Sequence, residues 1–140
     1  MSNYLIVYCH PYDKSFNHAI LETIVNNLNR HHQKFKIIDL YKENFDPVYS
    51  AQELKLYHAG ETVDPQVTRY LTLFRQVKGV IFVTPLWWNS IPGMLKGFID
   101  KTLKQLGMKD RHWYNFGGIS NSKLVRREKY LSKIKQMNFK

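Results

Sequence analysis

Hydrophobic residues occur along the chain in two alternating patterns, short runs and longer stretches with helical spacing. The short runs cover Tyr4–Cys9, Phe35–Leu40 and Gly79–Val83, and each is too short to form a helix of ordinary length. The first run is apolar throughout, which is typical of a strand buried on both faces of a parallel sheet. We therefore predict three strands.

Apolar residues with helical spacing follow each predicted strand. After the first strand, Ser15 is a candidate N-cap, and the periodicity continues to His31 and His32. His112–Phe116 predicts a fourth, short strand. The remaining predicted helices are a short one at Ala51–Tyr57, an amphipathic one from Val67 to Val77, one from Met94 to Leu106 with Gly107 as C-cap, and a last one with Ser122 as N-cap and Leu124, Leu131, Ile134 and Met137 on its inward face.

Strands and helices thus alternate along the chain. Right-handed crossovers between parallel strands place helices on both faces of the sheet. We predict an α/β fold with a doubly wound parallel sheet. The length of 140 residues suits one domain, which we expect to cover residues 1–140.

The positive charge of the chain is concentrated after Asp100. The formal net charge is +10, yet Met1–Asp100 contains ten Lys and Arg against nine Asp and Glu, whereas Lys101–Lys140 contains eleven against two. Such a tail is consistent with a solvated helix face, an acidic partner, an anionic cofactor or nucleic acid. Nucleic acid is the least favoured of these, since no arginine-rich run, zinc-finger spacing or aromatic-basic RNA signature occurs.

Cys9 is the only cysteine, so the chain cannot form an internal disulfide. No stretch is long and apolar enough for a signal peptide or a membrane span. We expect a cytoplasmic protein without a membrane span. Because Cys9 is predicted at the buried end of a strand with no obvious base nearby, we expect an inert structural thiol.

The loop His10–Asn17 leaves the first strand and enters the first predicted helix. A helix N-terminus offers free backbone N–H groups and the positive end of the dipole, and the Ser15 hydroxyl adds a neutral donor. These groups favour a bound phosphate, although neither Gly-x-x-x-x-Gly-Lys nor Gly-x-Gly-x-x-Gly occurs. The alternatives are a plain helix cap for Ser15 and a structural loop residue for His10.

Two tryptophans, Trp87 and Trp88, lie on the turn between the third strand and a helix whose start is predicted by Ser90 and Pro92. With the strand order 2-1-3, the topological switch point lies between the first and third strands, and this turn faces the loop at His10 across one crevice. A phosphate site beside an aromatic wall fits a flavin nucleotide. The alternative for an aromatic pair is a place in the core or in a dimer interface.

Other candidate chemistry is sparse. The histidines show no metal-ligand spacing, and neither a nucleophile elbow nor a pair of catalytic carboxylates is evident. We expect no metal site, and we expect a bound cofactor to carry any reaction.

Three segments occur in a characteristic order. They are Leu5–Pro11 with Ser15, Phe16 and Asn17; Asp39–Leu40–Tyr41 to Phe45–Asp46–Pro47; and Pro85–Trp88 with Pro92, Leu95–Gly97 and Asp100. Together they span Tyr4 to about Leu103 and resemble the flavodoxin-like NAD(P)H:quinone oxidoreductases of the flavodoxin-2 type. The resemblance implies a three-layer αβα fold and a homodimer. It also implies that hydride passes from NADH or NADPH through bound FMN or FAD to a small quinone-like electron acceptor.

The resemblance also assigns roles by position. It implies that one group of residues holds the flavin phosphates, namely His10, Ser15, Phe16 and Asn17. It implies that a second group lines the isoalloxazine ring, namely Pro85, Leu86, Trp87 and Trp88 with Asn89 beside them.

Beyond Leu103 the sequence departs from the family pattern. Family members continue with another central strand and a glycine-containing loop that closes over the flavin, whereas here the chain soon reaches His112–Phe116, which resembles the family's last strand. We therefore expect a shortened sheet without the fourth-strand segment and assign no catalytic residue. Tyr114 with Gly117 and Gly118 could replace the missing loop or form a strand end. The alternative function is a non-catalytic flavin-binding or regulatory module of the same family.

Overall fold

The computed structural model describes residues 2–103, 114–117 and 123–139. Within them the strands are β1 (Tyr4–Tyr8), β2 (Phe35–Asp39) and β3 (Gly79–Val83). The helices are α1 (Phe16–Arg30), α2 (Ala51–Leu56), α3 (Pro65–Arg75), α4 (Gly93–Thr102) and α5 (Leu124–Lys135), and a 3₁₀ turn at Tyr57–Ala59 follows α2.

The three strands form a parallel sheet in the order β2-β1-β3. Tyr4 pairs with Phe35 on one side and with Gly79 on the other, so the carboxyl ends of all three strands lie at one edge. This order confirms the predicted topology. Two of the predicted strands are each one residue too long, because Cys9 and Leu40 follow β1 and β2 rather than belonging to them.

Helices cover both faces of the sheet. Because successive strand residues point to opposite faces, Leu5 and Val7 pack with α3 and α4, whereas Ile6 and Tyr8 pack with α1 and α5. The α1 layer is tied to α5 by Asn27, whose side-chain amide donates to the carbonyl oxygens of Ile134 (2.8 Å) and Met137 (3.0 Å). The fold is therefore a doubly wound, three-layer α/β structure with a short sheet.

Helix starts follow local sequence signals. Ser15 caps α1 as predicted, with its hydroxyl accepting from the N–H of His18 at 3.1 Å. Asp64 caps α3 ahead of Pro65, which occupies the first helical position. A capping box between Ser50 and Glu53 begins α2.

Several predictions for the C-terminal part are wrong. Of the predicted strand His112–Phe116, the first two residues lie outside the described part of the chain, and 114–117 form no strand because Phe116 packs on the ring of Tyr130. Leu124 is 68% exposed rather than inward. It precedes by six residues Tyr130, which packs on Phe16 at the start of α1, so the first turn of α5 lies beyond the start of α1. The proposed caps at Gly107 and Ser122 lie outside the described residues.

Candidate functional site

The two loops selected from the sequence meet at the carboxyl edge of the sheet. His10 follows β1, Trp87 follows β3, and their rings lie edge to face with centroids 5.9 Å apart. Since β1 and β3 are neighbours, this contact lies at the predicted switch point. The structure thus brings together one residue from each predicted half of the site.

The N-terminus of α1 has backbone N–H groups that make no hydrogen bond within the described chain. The N–H of His18 donates to Ser15 Oγ, and the N–H of Ala19 donates to the Ser15 carbonyl. Among the hydrogen bonds of the described chain, none uses the N–H of Phe16 or Asn17. No acidic residue lies in the first turn of α1 to neutralise its dipole. Two free donors at the positive end of a helix fit a phosphate group.

His10 is held in one tautomer. Its Nδ1 accepts the N–H of Tyr12 at 3.0 Å, so the proton of the neutral ring is on Nε2. Burial lowers the pKa of His10 and thereby favours the neutral ring. His10 therefore offers one N–H donor beside Trp87. Sequence reasoning missed Tyr12, since a backbone donor leaves no signal in residue type.

The tryptophan turn is tight and strained. Trp87 and Ser90 exchange backbone hydrogen bonds of 2.9 and 3.0 Å, and both residues between them have positive φ, 51° at Trp88 and 56° at Asn89. Such two-residue turns prefer Asn-Gly, and an aromatic residue is unfavourable in the left-handed region. Ser90 thus belongs to this turn, and α4 begins only at Gly93. Strained residues of this kind cluster at functional sites.

The turn does not place all its predicted residues in one wall. Pro85 is buried, whereas Leu86 is half exposed and Asn89 is exposed. The Trp88 side chain is 101% exposed, while Trp87 contacts His10. Within this chain the aromatic surface beside the first loop is therefore Trp87, and Trp88 projects into solvent.

The ring of Phe16 packs within the protein and is not available to a ligand. It packs against Tyr130 of α5, with centroids 6.5 Å apart. Phe16 can therefore contribute its backbone N–H to a phosphate while its side chain fixes α5. Asn17 has an intermediate exposure, and no hydrogen bond of its side chain occurs among the described residues.

A buried ion pair lies away from these loops and was not predicted. Lys101 Nζ lies 2.9 Å from Glu53 Oε1 and 4.0 Å from Asp64 Oδ2, with both Lys101 and Glu53 buried. Burial opposes the charge on Glu53, but hydrogen bonds from Lys101 and Ser50 hold its pKa below the usual value. A cavity of about 20 Å³ beside this pair is lined by Tyr49, Glu53, Tyr57, Glu61, Thr62, Asp100 and Lys101. None of these residues belongs to the two loops, so the pair joins α2 to α4 without touching the candidate site.

The expectation of an inert thiol agrees with the structure. Cys9 is fully buried, and burial raises its pKa to about 11, which leaves an inert thiol at neutral pH. Within residues 2–103, 114–117 and 123–139, no group of three or more His, Cys, Asp and Glu residues is arranged to hold a metal ion. None of the helices in the described part is both long and apolar enough to cross a bilayer.

The fold and its first loop define a flavodoxin-like protein. Residues 2–106 match the family model for the flavodoxin-like fold. The structure is similar to that of an NAD(P)H:quinone oxidoreductase from Methanothermobacter marburgensis, with a TM-score of 0.65 and 28% identity, over 71% of this chain and 52% of the other.

Curated relatives indicate which family within the flavodoxin-like class the chain resembles. An uncharacterized NAD(P)H oxidoreductase from Haemophilus influenzae is 31% identical over 72% of this chain and 50% of its own length. Human ribosyldihydronicotinamide dehydrogenase (quinone) is 30% identical over 86% of this chain and 59% of its own length. The chain belongs to the flavodoxin-like NAD(P)H:quinone oxidoreductase family. It spans about half to three fifths of the length of these relatives.

Proposed function

We propose that this protein is a flavin-dependent NAD(P)H oxidoreductase acting on small quinone-like acceptors. The observation that carries the proposal is that the N-terminus of α1, with its free N–H groups, lies at the same edge of the sheet as the contact between His10 and Trp87. The two named relatives and the similar archaeal structure are described as NAD(P)H or quinone oxidoreductases, which supports the same activity. A bound FMN or FAD would supply hydride transfer from NADH or NADPH to the acceptor.

The residues of the first loop would hold the flavin phosphates. The N–H groups of Phe16 and Asn17 and the Nε2–H of His10 are donors, and the hydroxyl of Ser15 can donate while still accepting from His18. Asn17 adds a side-chain amide. All of these donors are uncharged, so their strength toward a phosphate depends on their number and on the helix dipole.

The turn Pro85–Asn89 would line the flavin ring. Trp87 already stands next to His10, and Leu86 presents an apolar side chain to solvent. Trp88 would join the ring site by contact with the cofactor or with a second copy of the chain, because its side chain has no neighbour to pack on. We assign no catalytic residue.

We further propose a cytoplasmic homodimer. Support for dimerisation comes from Trp88 and Leu86, which are exposed together on one turn, and from β3, which is an edge strand among the described strands. Support for the cytoplasm comes from Cys9, which is the only cysteine of the chain and is buried without a disulfide.

Two substitutions at Ser15 test the phosphate role. Ser15→Asp keeps a good N-cap but places a negative charge at the proposed phosphate, so it should abolish FMN and FAD retention while thermal stability is kept. Ser15→Ala should lower stability by about 1 kcal/mol through loss of the cap. Full flavin binding by a folded Ser15→Asp variant would show that the cofactor does not lie on this loop.

A non-catalytic flavin-binding or regulatory module is the second candidate. It is suggested by the extent of the match, since the family model covers residues 2–106 and the matches cover 50% and 59% of the two relatives' own lengths. An assay of quinone-dependent oxidation of NADH or NADPH by the flavin-loaded protein distinguishes the enzyme from the non-catalytic module. Turnover supports the enzyme, and tight flavin binding without turnover supports the module.

A further inference from the structure

We infer that α5 docks the protein on an anionic lipid surface. The argument rests on the charge of α5, on the exposed aliphatic residues at its start, and on the end of the molecule that they occupy. The inference is independent of the flavin, because vesicle binding requires no cofactor.

The outer face of α5 is basic. Lys123–Phe139 contains six Lys and Arg residues against one acid, Glu128. Lys129 and Lys133 are both exposed, and the ammonium group of Lys133 lies 5.6 Å from the ring centroid of Tyr114. The inner face is occupied by Ile134, which is buried against α1. Lys129 and Lys133 are therefore on the exposed side of the helix, where they can attract an anionic surface.

Two aliphatic residues lie at the start of the same helix, and Val125 lies one turn before Lys129. Leu124 is 68% exposed and Val125 is 74% exposed, and both lie in the first turn of α5. Two adjacent aliphatic side chains are unfavourable on a helix face that is only exposed to water. Lipid headgroups accept cations while the acyl boundary accepts aliphatic side chains, so this combination fits a membrane interface. Nucleic acid would use the cations but would leave Leu124 and Val125 unburied.

The start of α5 lies at the same end of the molecule as the candidate site. Tyr130 packs on Phe16 at the start of α1, and Ile134 accepts from Asn27 near the end of α1. The two helices therefore run in the same sense. Leu124 lies six residues before Tyr130, about 9 Å further toward the carboxyl edge of the sheet.

Another exposed aromatic residue lies at this edge. Tyr12, in the loop after β1, is 58% exposed. Aromatic residues with one polar atom are favoured at membrane interfaces. If the proposed function is correct, docking at this end brings the site to quinones dissolved in the bilayer.

Vesicle co-sedimentation tests the inference on the full chain. Vesicles of phosphatidylglycerol and phosphatidylcholine should bind the protein at low salt, and pure phosphatidylcholine vesicles should not. Because each basic residue near such a surface contributes about fivefold in affinity, the charge reversal Lys123→Glu/Lys129→Glu near the start of α5 should weaken binding by more than about tenfold. The matched control Lys34→Glu/Lys78→Glu makes the same charge change before β2 and β3, at the opposite end of the strands, and should retain binding.

A second variant distinguishes binding to lipid from binding to nucleic acid or to another protein. Leu124→Ser/Val125→Ser should weaken vesicle binding several-fold while leaving the circular dichroism spectrum unchanged, since both side chains are exposed. The inference is overturned if wild-type protein ignores anionic vesicles at low salt. It is equally overturned if Leu124→Ser/Val125→Ser binds them as tightly as wild type, or if duplex DNA binds more tightly than the vesicles. A change in the oligomeric mass of this variant with unaltered vesicle binding would assign the patch to a protein contact instead.

Discussion

The burial of His10 makes the stability of the protein depend on pH. Burial lowers the pKa of His10 below about 6.5, the value expected in the unfolded chain. The native state then binds fewer protons than the unfolded state between these two pKa values, so stability should fall as the pH drops below 6.5. Urea unfolding at pH 7 and at pH 5 measures the loss. His10→Gln should show a smaller loss, and an identical pH dependence in both proteins would contradict the burial of a neutral His10.

Because Trp88 has a left-handed conformation, we expect its replacement to raise stability while weakening flavin binding. Trp88→Gly removes the side chain and the backbone strain, and it should raise the free energy of unfolding by about 1 kcal/mol. Trp88→Ala removes the same ring but keeps a Cβ in the left-handed region. Denaturant unfolding should therefore show Trp88→Gly to be the more stable of the two.

Flavin binding should not distinguish these two variants. Both lack the indole ring, so both should retain flavin less well than wild type. Equal stability of the glycine and alanine variants would show that the positive φ at Trp88 carries no strain. Wild-type flavin affinity in both would remove Trp88 from the proposed ring site.

At the scale of elements, α4 depends on one close approach. A Cβ built at Gly97 would fall on the backbone of Pro47, only 2.7 Å from its Cα. Gly97→Ala should therefore destabilise the protein by about 1 to 3 kcal/mol, as overpacking does elsewhere. Gly93→Ala in the same helix is the control, because a Cβ there meets nothing within 4 Å and should be tolerated. Equal thermal stability of the two variants would contradict this packing.

The buried ion pair joins α2 to α4 and should be sensitive to loss of one partner. Lys101→Met leaves Glu53 buried without its cation and should cost about 3 kcal/mol. The double variant Lys101→Met/Glu53→Gln removes both charges and should recover part of that loss in urea unfolding. A double variant less stable than Lys101→Met would show that the pair itself stabilises the fold.

Element by element, the sequence predicted the structure best where burial and periodicity agree. All three strands follow from short apolar runs, and Ser15 is the cap of α1 because its hydroxyl meets a first-turn N–H. Glu53 and Lys101 could not be paired from sequence, since their contact depends on how α2 and α4 pack. The prediction for Leu124 is wrong because helical periodicity identifies a face but not where the neighbouring helix begins.

The position of the candidate site could be predicted from the sequence, but its detailed conformation could not. Strand order alone placed His10 and Trp87 at one edge, and the structure brings their rings into contact. The conformation of the turn was not predictable, because Trp88 and Asn89 adopt positive φ without the glycine that usually signals it. The roles of these residues toward a flavin stay a prediction, as does the single domain covering residues 1–140.

At the scale of the whole molecule, the exposed tryptophan turn predicts self-association. Light scattering should give a mass of about twice the 16.7 kDa of one chain. Trp88→Ala should shift the protein toward the monomer if Trp88 lies in the contact. A monomeric mass for the wild-type protein at high concentration would contradict the homodimer.

The central claim is that the N-terminus of α1 holds the phosphate of a flavin. Riboflavin carries the same ring as FMN but no phosphate, so a parallel titration with riboflavin, FMN and FAD measures the contribution of this loop. We expect FMN or FAD to bind with a stoichiometry of one per chain and at least about tenfold more tightly than riboflavin, which corresponds to about 1.4 kcal/mol. Equal affinity for riboflavin, or no binding of any of the three, would contradict the account.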